Sequence, residues 1–310
     1  MYFTVLFSCL TSHSWDKWEC NHNDDEVVQM RCGLEDVSGF SGNDFTRISS
    51  EYLVDPLGRY TLEQEFFVQR YEMTGAQYSS LTNEYSSSSN TPAYVSWYEA
   101  AYAANQLSKR SGLQECYDCG SDQDDYIYCS ELQDDASIYE CEGYRLPTEA
   151  EWELVARSGT TYDFWTGEGS HYGGNIAAMD GGDCYDTLID DGASNPSLRD
   201  YAWYCRYEPW DNPEDVGLKE PNGFGVYDMH GNIDEWTHDN FTEYHYSSSS
   251  NPVYHNGYEY SFTVKGGDIY AKPEYTGASI REDITCDISN YVPSVCDAGF
   301  RLVRSFEAVE

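Results

Sequence analysis

The residues best suited to chemistry lie in one short acidic stretch, residues 222–236, which reads NGFGVYDMHGNIDEW. Asp228 and Glu235 flank Gly231 and Asn232, and this central pair favours a tight turn because glycine accepts left-handed backbone angles. The two carboxylates could converge with backbone carbonyls between them, and several hard oxygen ligands on a short loop suit calcium. The spacing matches no EF-hand loop, so a hydrogen-bonded turn with solvated acids is the alternative.

The histidines near this stretch do not predict a second kind of site. His230, His238 and His245 are close in sequence but lack the spacing of a recognised metal triad. We expect His230 to be exposed, because it lies in the turn. The chain also lacks a G-x-S-x-G motif, a Cys–His nucleophile pattern and a phosphate-binding loop.

The charge of the chain limits its partners. Its 310 residues include 55 acidic and only 17 basic side chains, which gives a net charge of -38. A field of that sign repels phosphate backbones and anionic membrane surfaces, so we expect no nucleic-acid partner. A surface that binds divalent cations and a merely solvated acidic surface both remain open.

Eleven cysteines are many for a cytosolic protein, and they predict disulfides formed in an oxidising compartment. The C-x-x-C pair at 116–119 has no second pair to complete the pattern of a zinc ribbon. Sequence does not define the disulfide connectivity. Cys20–Cys32 and Cys286–Cys296 are plausible pairs because their members are close along the chain.

By composition the chain divides into three parts. Residues 1–9 are a possible signal or lipobox segment, because LFSC resembles a bacterial lipobox and a lipid on Cys9 would leave an even number of cysteines. The segment is short and lacks a basic region, so secretion without an anchor is the alternative. Residues 10–43 are predicted to be an acidic tether, and residues 44–306 one domain. We therefore expect an extracytoplasmic protein, either a bacterial lipoprotein or a secreted protein.

The clearest helix signal is the capping box formed by Ser96 and Glu99 ahead of an alanine-rich segment. Alanine is the strongest helix former, so we predict a helix over 96–111. Gly112 is a natural stop for it.

A second capping box, formed by Thr148 and Glu151, predicts a helix that ends at Gly159. Glu149 and Glu153 lie in the same segment and resemble a catalytic carboxylate cluster. Acids in a first helical turn are favoured by the helix dipole, so we assign these glutamates a structural role.

Three further segments complete the prediction of elements. Thr74 is the expected N-cap of a short helix over 75–81. A strand is predicted within 59–71. The cysteine-rich segment 116–141 is predicted to be an irregular insertion loop, stapled by cystines.

Four ordered motifs resemble those of the formylglycine-generating enzyme (sulfatase-modifying factor) family. They are the acidic stretch itself, GYRLPTEAEWE at 143–153, VKGG at 264–267 and GFRLV at 299–303. A weaker start signal is FVQRYEMT at 67–74. The resemblance covers residues 44–306 and implies an α+β, C-type-lectin-like formylglycine-generating-enzyme fold that is rich in loops, to which the cysteines add disulfide staples.

In that family the turn binds structural calcium, so the resemblance implies Ca2+ as a cofactor. Its ligands would be the side chains of Asp228 and Glu235 and the backbone carbonyls of Gly231 and Ile233. The resemblance also suggests a second calcium site, which would begin at Asn175 and Ile176 and whose other ligands stay open.

Enzymes of this family hold copper with two cysteines, because soft Cu(I) requires thiolate ligands. The corresponding positions here are Ala271 and Thr276. The resemblance therefore implies the scaffold without the known chemistry, and we expect no copper.

Three hypotheses remain open. In the first, the protein is a non-catalytic module that binds an unknown protein, peptide or glycan through the loop at 268–298. The contact candidates are Asp268, Tyr270, Tyr275, Arg281 and Tyr291. In the second, it is an oxidoreductase of the same family with an altered active site, which would need a redox metal. In the third, it is a structural surface protein stiffened by calcium.

Overall fold

The computed structural model describes residues 37, 39–83, 89–121, 126–131, 137–167, 198–206, 212–242, 249–254, 260–286 and 296–306. Within them are three α-helices: α1 (Gly75–Thr82), α2 (Trp97–Arg110) and α3 (Glu149–Arg157). The strands there are β1 (Phe45–Ile48), β2 (Tyr60–Thr61), β3 (Phe66–Gln69), β4 (Tyr117–Ser121), β5 (Ile127–Glu131), β6 (Tyr144–Arg145), β7 (Glu235–Asn240), β8 (Ser249–Ser250), β9 (Ser261–Lys265), β10 (Glu282–Thr285) and β11 (Val303–Ser305). None of the helices in these segments is long and apolar enough to cross a membrane.

All three helices begin with a capping box. The hydroxyls of Thr74, Ser96 and Thr148 each accept a hydrogen bond from the backbone N–H three residues later. The side chain of that later residue in turn accepts from the backbone N–H of the cap. The predicted helices are thus confirmed, with ends within one or two residues, because a capping box depends only on local sequence.

The strands form two main sheets. One is antiparallel, with the order β1-β3-β11-β6, and the other has the order β10-β9-β7. A parallel pair, β2-β8, and a hairpin, β4-β5, lie outside these sheets. The strand predicted within 59–71 is two strands, β2 and β3, separated by a bend at 62–65.

The prediction of an irregular loop at 116–141 is wrong in part. β4 and β5 pair there as an antiparallel hairpin that places Cys119 opposite Cys129. These two cysteines form a disulfide, and a second disulfide joins Cys116 to Cys141. The acidic composition lacks the alternation of apolar residues from which strands are predicted, and a cystine joins these two strands instead.

The disulfide expected between Cys286 and Cys296 is confirmed. It connects the end of β10 to the segment that leads into β11. Cys205 is also disulfide-bonded. The expected pair Cys20–Cys32 lies outside the described residues.

Aromatic packing fixes β7 against α2. The ring of Trp97 stacks on that of Phe262 in β9, with centroids 4.3 Å apart. Its indole N–H donates to the carbonyl of Thr237 at 2.8 Å. The indole N–H of buried Trp236 donates to the carbonyl of Val95, also at 2.8 Å. The acidic stretch therefore leads into a strand whose position is set by two tryptophans.

The glutamates of α3 are buried and paired with arginines. Glu151 accepts from Arg145 at 2.7 Å, and Glu153 lies 2.6 Å from the guanidinium of Arg157. All four side chains are almost completely buried. Their contacts are with other protein groups, in line with the structural role assigned from the sequence.

Arg145→Met should lower the free energy of unfolding by about 3–5 kcal/mol, because it leaves the carboxylate of Glu151 buried without its partner. Arg206→Met is the matched control. The side chains of Arg206 and Glu214 are 47% and 38% exposed, so breaking this pair should cost less than about 1 kcal/mol. Urea unfolding at pH 7 measures both changes, and equal losses would contradict the prediction.

Candidate functional site

The acidic stretch forms a tight turn in which three residues have left-handed backbone angles. Asp228, Gly231 and Asn232 have φ angles of 58°, 89° and 70°. A Cβ on Gly231 would lie 1.6 Å from the carbonyl oxygen of Trp203. Only glycine fits this position, because the backbones of the turn and of residue 203 are in contact there.

Backbone hydrogen bonds attach the turn to the loop that follows β9. The N–H of Gly231 donates to the carbonyl of Gly266 at 2.8 Å, and the N–H of Ile269 donates to the carbonyl of Asn232 at 3.1 Å. On the other side, the N–H of Trp203 donates to the carbonyl of His230 at 2.8 Å. The predicted calcium turn and the predicted ligand loop are therefore neighbours.

Both predicted carboxylate ligands are buried and accept hydrogen bonds. Oδ1 of Asp228 accepts from the indole N–H of Trp203 at 2.9 Å, and Oδ2 accepts from the N–H of Gly217 at 2.6 Å. Burial nevertheless raises the pKa of Asp228 above its ordinary value. Oε2 of Glu235 accepts from the indole N–H of Trp152 at 2.9 Å and from Nε of Arg301 at 2.7 Å.

A third carboxylate, which was not predicted from the sequence, lies near these two. Glu72 is fully buried, and its Oε1 accepts from the side-chain amide of Asn232 at 3.1 Å. Burial raises the pKa of Glu72 well above its usual range, as do the charges of Asp228 and Glu235. Glu72 lies within FVQRYEMT at 67–74, so a signal was present, but nothing in that motif indicates its distant neighbours.

The oxygen donors at the turn are of the kind that bind calcium. The turn offers buried carboxylates and backbone carbonyls, and each carboxylate oxygen that accepts one hydrogen bond keeps a further lone pair. At this turn, Oε2 of Glu72 has no hydrogen-bond partner among the described residues. In the same part of the chain, no three Asp, Glu, His or Cys side chains are grouped so that they could hold a metal ion. That result is compatible with a set of two side chains and two carbonyls. Asn175 and Ile176 lie outside the described residues.

The expectation that His230 is exposed is wrong. Its side chain is buried, its Nδ1 lies 2.8 Å from the carbonyl oxygen of Thr276, and its ring packs against Phe164 at 4.9 Å. Burial lowers the pKa of His230 to about 4, so the ring is neutral at pH 7. The turn faces inward because the loop after β9 covers it.

The loop after β9 presents tyrosines to solvent. Oδ1 of Asp268 accepts from the N–H groups of Tyr270 and Ala271, at 2.9 and 2.7 Å, which closes a turn. The side chains of Tyr270 and Tyr275 are 43% and 48% exposed. Thr276, the second position that corresponds to a copper cysteine, is fully buried. Neither position 271 nor position 276 supplies a thiolate.

The predicted contact residue Arg281 already has protein partners. It pairs with both carboxylate oxygens of Glu149 and donates to the carbonyl of Thr242. Its side chain is only 6% exposed. Its guanidinium is thus paired with the first residue of α3. Tyr291 lies outside the described residues.

The surroundings of Asp268 are acidic. Burial, followed by the negative charges of Asp268 and Glu282, raises the pKa of Asp234 to about 8. The pKa of Glu282 is raised by burial and by Asp268 as well. This face of the protein is therefore poorly suited to anionic ligands.

Comparison with known proteins identifies the family to which the chain is similar. A family model for the sulfatase-modifying factor enzyme 1-like domain (FGE-sulfatase) matches residues 21–306. The chain is 27% identical over 182 residues to "Chaperone protein LppX" of Paenibacillus barcinonensis, which covers 56% of this chain and 61% of that protein. It is 32% identical over 147 residues to "Formylglycine-generating enzyme" of Mycobacterium tuberculosis, which covers 43% of this chain and 42% of the enzyme. The chain thus matches less than two thirds of the length of either relative.

Two solved structures share the fold. "Treponema denticola variable protein 1" has a TM-score of 0.56 and 22% identity, with 84% of this chain and 94% of that chain covered. PvdO from Pseudomonas aeruginosa has a TM-score of 0.52 and 21% identity, with 80% and 83% covered. These similarities confirm the predicted α+β formylglycine-generating-enzyme fold. Since the family model spans most of the sequence, the chain belongs to the family of sulfatase-modifying factor enzyme 1-like domains.

Proposed function

We propose that this protein is a non-catalytic, extracytoplasmic member of its family, a calcium-stabilised module that binds a ligand or partner. The observation that carries the proposal is the identity of Ala271 and Thr276. They replace the thiolates that Cu(I) requires, whereas the ion pair of Glu235 with Arg301 keeps the family's motifs together. A scaffold retained without its reactive ligands is suited to binding rather than to oxidation.

The exposed tyrosines support a binding role. Tyr270 and Tyr275 project from a loop that is fixed by the Asp268 turn and by backbone bonds to the acidic stretch. Tyrosine supplies a large amphipathic contact area at low entropic cost, which suits a protein, peptide or glycan ligand. The name of the relative LppX, a chaperone protein, is in keeping with a role in contacting another protein.

The disulfides support a place outside the cytoplasm. Cys116–Cys141, Cys119–Cys129 and Cys286–Cys296 would be reduced in most cytosols. We propose attachment to a membrane through a lipid on Cys9, with secretion as the alternative.

Structural calcium is proposed at the turn of residues 228–235. The side chains of Asp228 and Glu235 and the carbonyls of Gly231 and Ile233 would hold it. The ion would neutralise buried negative charge and stiffen the floor of the ligand loop, and it would supply no chemistry of its own.

An oxidoreductase with an altered site is the second candidate function. It is favoured by the 32% identity to a formylglycine-generating enzyme over 147 residues. Oxidation needs a redox metal, whereas binding needs none, so metal content separates the two functions.

Metal analysis is the first test. Purified protein is incubated with calcium and with Cu(I), desalted and measured by elemental mass spectrometry. We expect about one or two calcium ions per chain, held by hard oxygen ligands, and copper far below one per chain. Stoichiometric copper or iron would instead favour the oxidoreductase.

Asp228→Ala should lower the melting temperature and remove most of its dependence on calcium. With calcium about a hundredfold above its dissociation constant, binding contributes about 2.7 kcal/mol to the stability of the native protein. Asp118→Ala, which removes an exposed carboxylate of β4, is the control and should melt like the native protein. A native protein that melts at the same temperature in calcium and in chelator would refute the site.

The double variant Tyr270→Ala/Tyr275→Ala should weaken binding to any ligand found on glycan and peptide arrays by at least about tenfold. The matched control is Tyr126→Ala/Tyr128→Ala, which truncates two tyrosines that are each 49% exposed at the β4-β5 hairpin. Equal binding by both double variants would place the ligand elsewhere on the protein.

A further inference from the structure

We infer that Glu72 is a third carboxylate of the calcium turn, one that acts on the ion through its charge and through Asn232 rather than as a direct ligand. The inference rests on the calcium site proposed above. Glu72 is 156 positions before Asp228 in the chain, and the expected ligand set of two carboxylates and two carbonyls does not use it.

The side chain of Glu72 is only partly satisfied by the protein. It is fully buried, and Oε1 accepts one hydrogen bond, from Nδ2 of Asn232. Oε2 has no partner among the residues that the structure describes. A buried carboxylate oxygen without a donor is costly, and a water bound to a nearby cation would remove that cost.

The charges around Glu72 are unbalanced. Its electrostatic neighbours are Asp228, Glu235 and Arg301. Three buried carboxylates thus face one buried guanidinium, since the side chains of all four residues are at most 2% exposed. A divalent cation matches the excess of negative charge.

The action of Glu72 is indirect. In the described part of the chain, no three acidic, histidine or cysteine side chains are close enough to share one metal ion. Asn232, however, lies between the two carbonyl ligands, Gly231 and Ile233. Its side chain is held by Glu72 on one side, and its Oδ1 accepts from the N–H of Glu214 at 2.9 Å on the other. Glu72 is therefore a positioning residue for the turn.

The test compares Glu72→Gln with Glu72→Asp and with Glu214→Gln in the full-length protein, by calorimetric titration with calcium chloride after chelator treatment. Glutamine keeps the acceptor for Asn232 but removes the charge. Loss of an outer-shell partner of a metal site typically costs about 10–100-fold in affinity, and we expect at least about tenfold for Glu72→Gln.

Glu72→Asp, which keeps the charge, should recover part of that loss. Glu214→Gln should change the affinity less than about twofold, because its carboxylate is 38% exposed.

The same variants are melted in chelator. Glu72→Gln should be at least as stable as the native protein there, because it removes one of three buried like charges. Unchanged calcium affinity in Glu72→Gln, equal losses in Glu72→Gln and Glu72→Asp, or failure of Glu72→Gln to fold in chelator would each overturn the inference. If the native protein binds no calcium, both the proposed site and this inference fail. If the native protein binds calcium and Glu72→Gln binds it equally well, only this inference fails.

Discussion

The buried ion pair between Glu235 and Arg301 is the constraint on which the rest of the structure depends. Both side chains are at most 1% exposed, and Arg301 also donates to the carbonyls of Gln69 and Tyr227. One guanidinium therefore joins the acidic stretch, β3 and the segment before β11. Breaking such a pair leaves an uncompensated buried charge at a cost of about 3–5 kcal/mol. The turn can hold its left-handed backbone because these neighbours fix its ends.

Interactions between residues close in sequence could be predicted, whereas those between distant residues could not. The capping box of Thr148 and Glu151 closes within one helical turn, so four residues were enough to locate α3. The burial of His230 depends on Phe164 and on the carbonyl of Thr276, 46 positions away. No local pattern carries that information, and a turn residue was wrongly expected to face solvent.

Arg281 shows the same limit within the predicted ligand loop. Its place in this loop made it a contact candidate, as it did Tyr270. The partner that occupies its guanidinium, Glu149, is 132 positions earlier in the chain. That glutamate was itself assigned a structural role from its place in the first turn of α3. The ion pair that joins the two could not be derived, because a single sequence does not show which buried charges meet.

Backbone hydrogen bonds hold the loop that contains positions 271 and 276. The carbonyl of Ala271 accepts from the N–H of Cys205 at 2.9 Å, and the N–H of Thr276 donates to the carbonyl of Pro273 at 3.1 Å. Backbone bonds of this kind can form with almost any side chain at positions 271 and 276. Cysteines at these two positions are therefore not needed to hold the loop, whereas Glu235 and Arg301 hold the fold through their side chains. The groups that hold a fold can thus differ from those that perform chemistry, and one fold can serve more than one function.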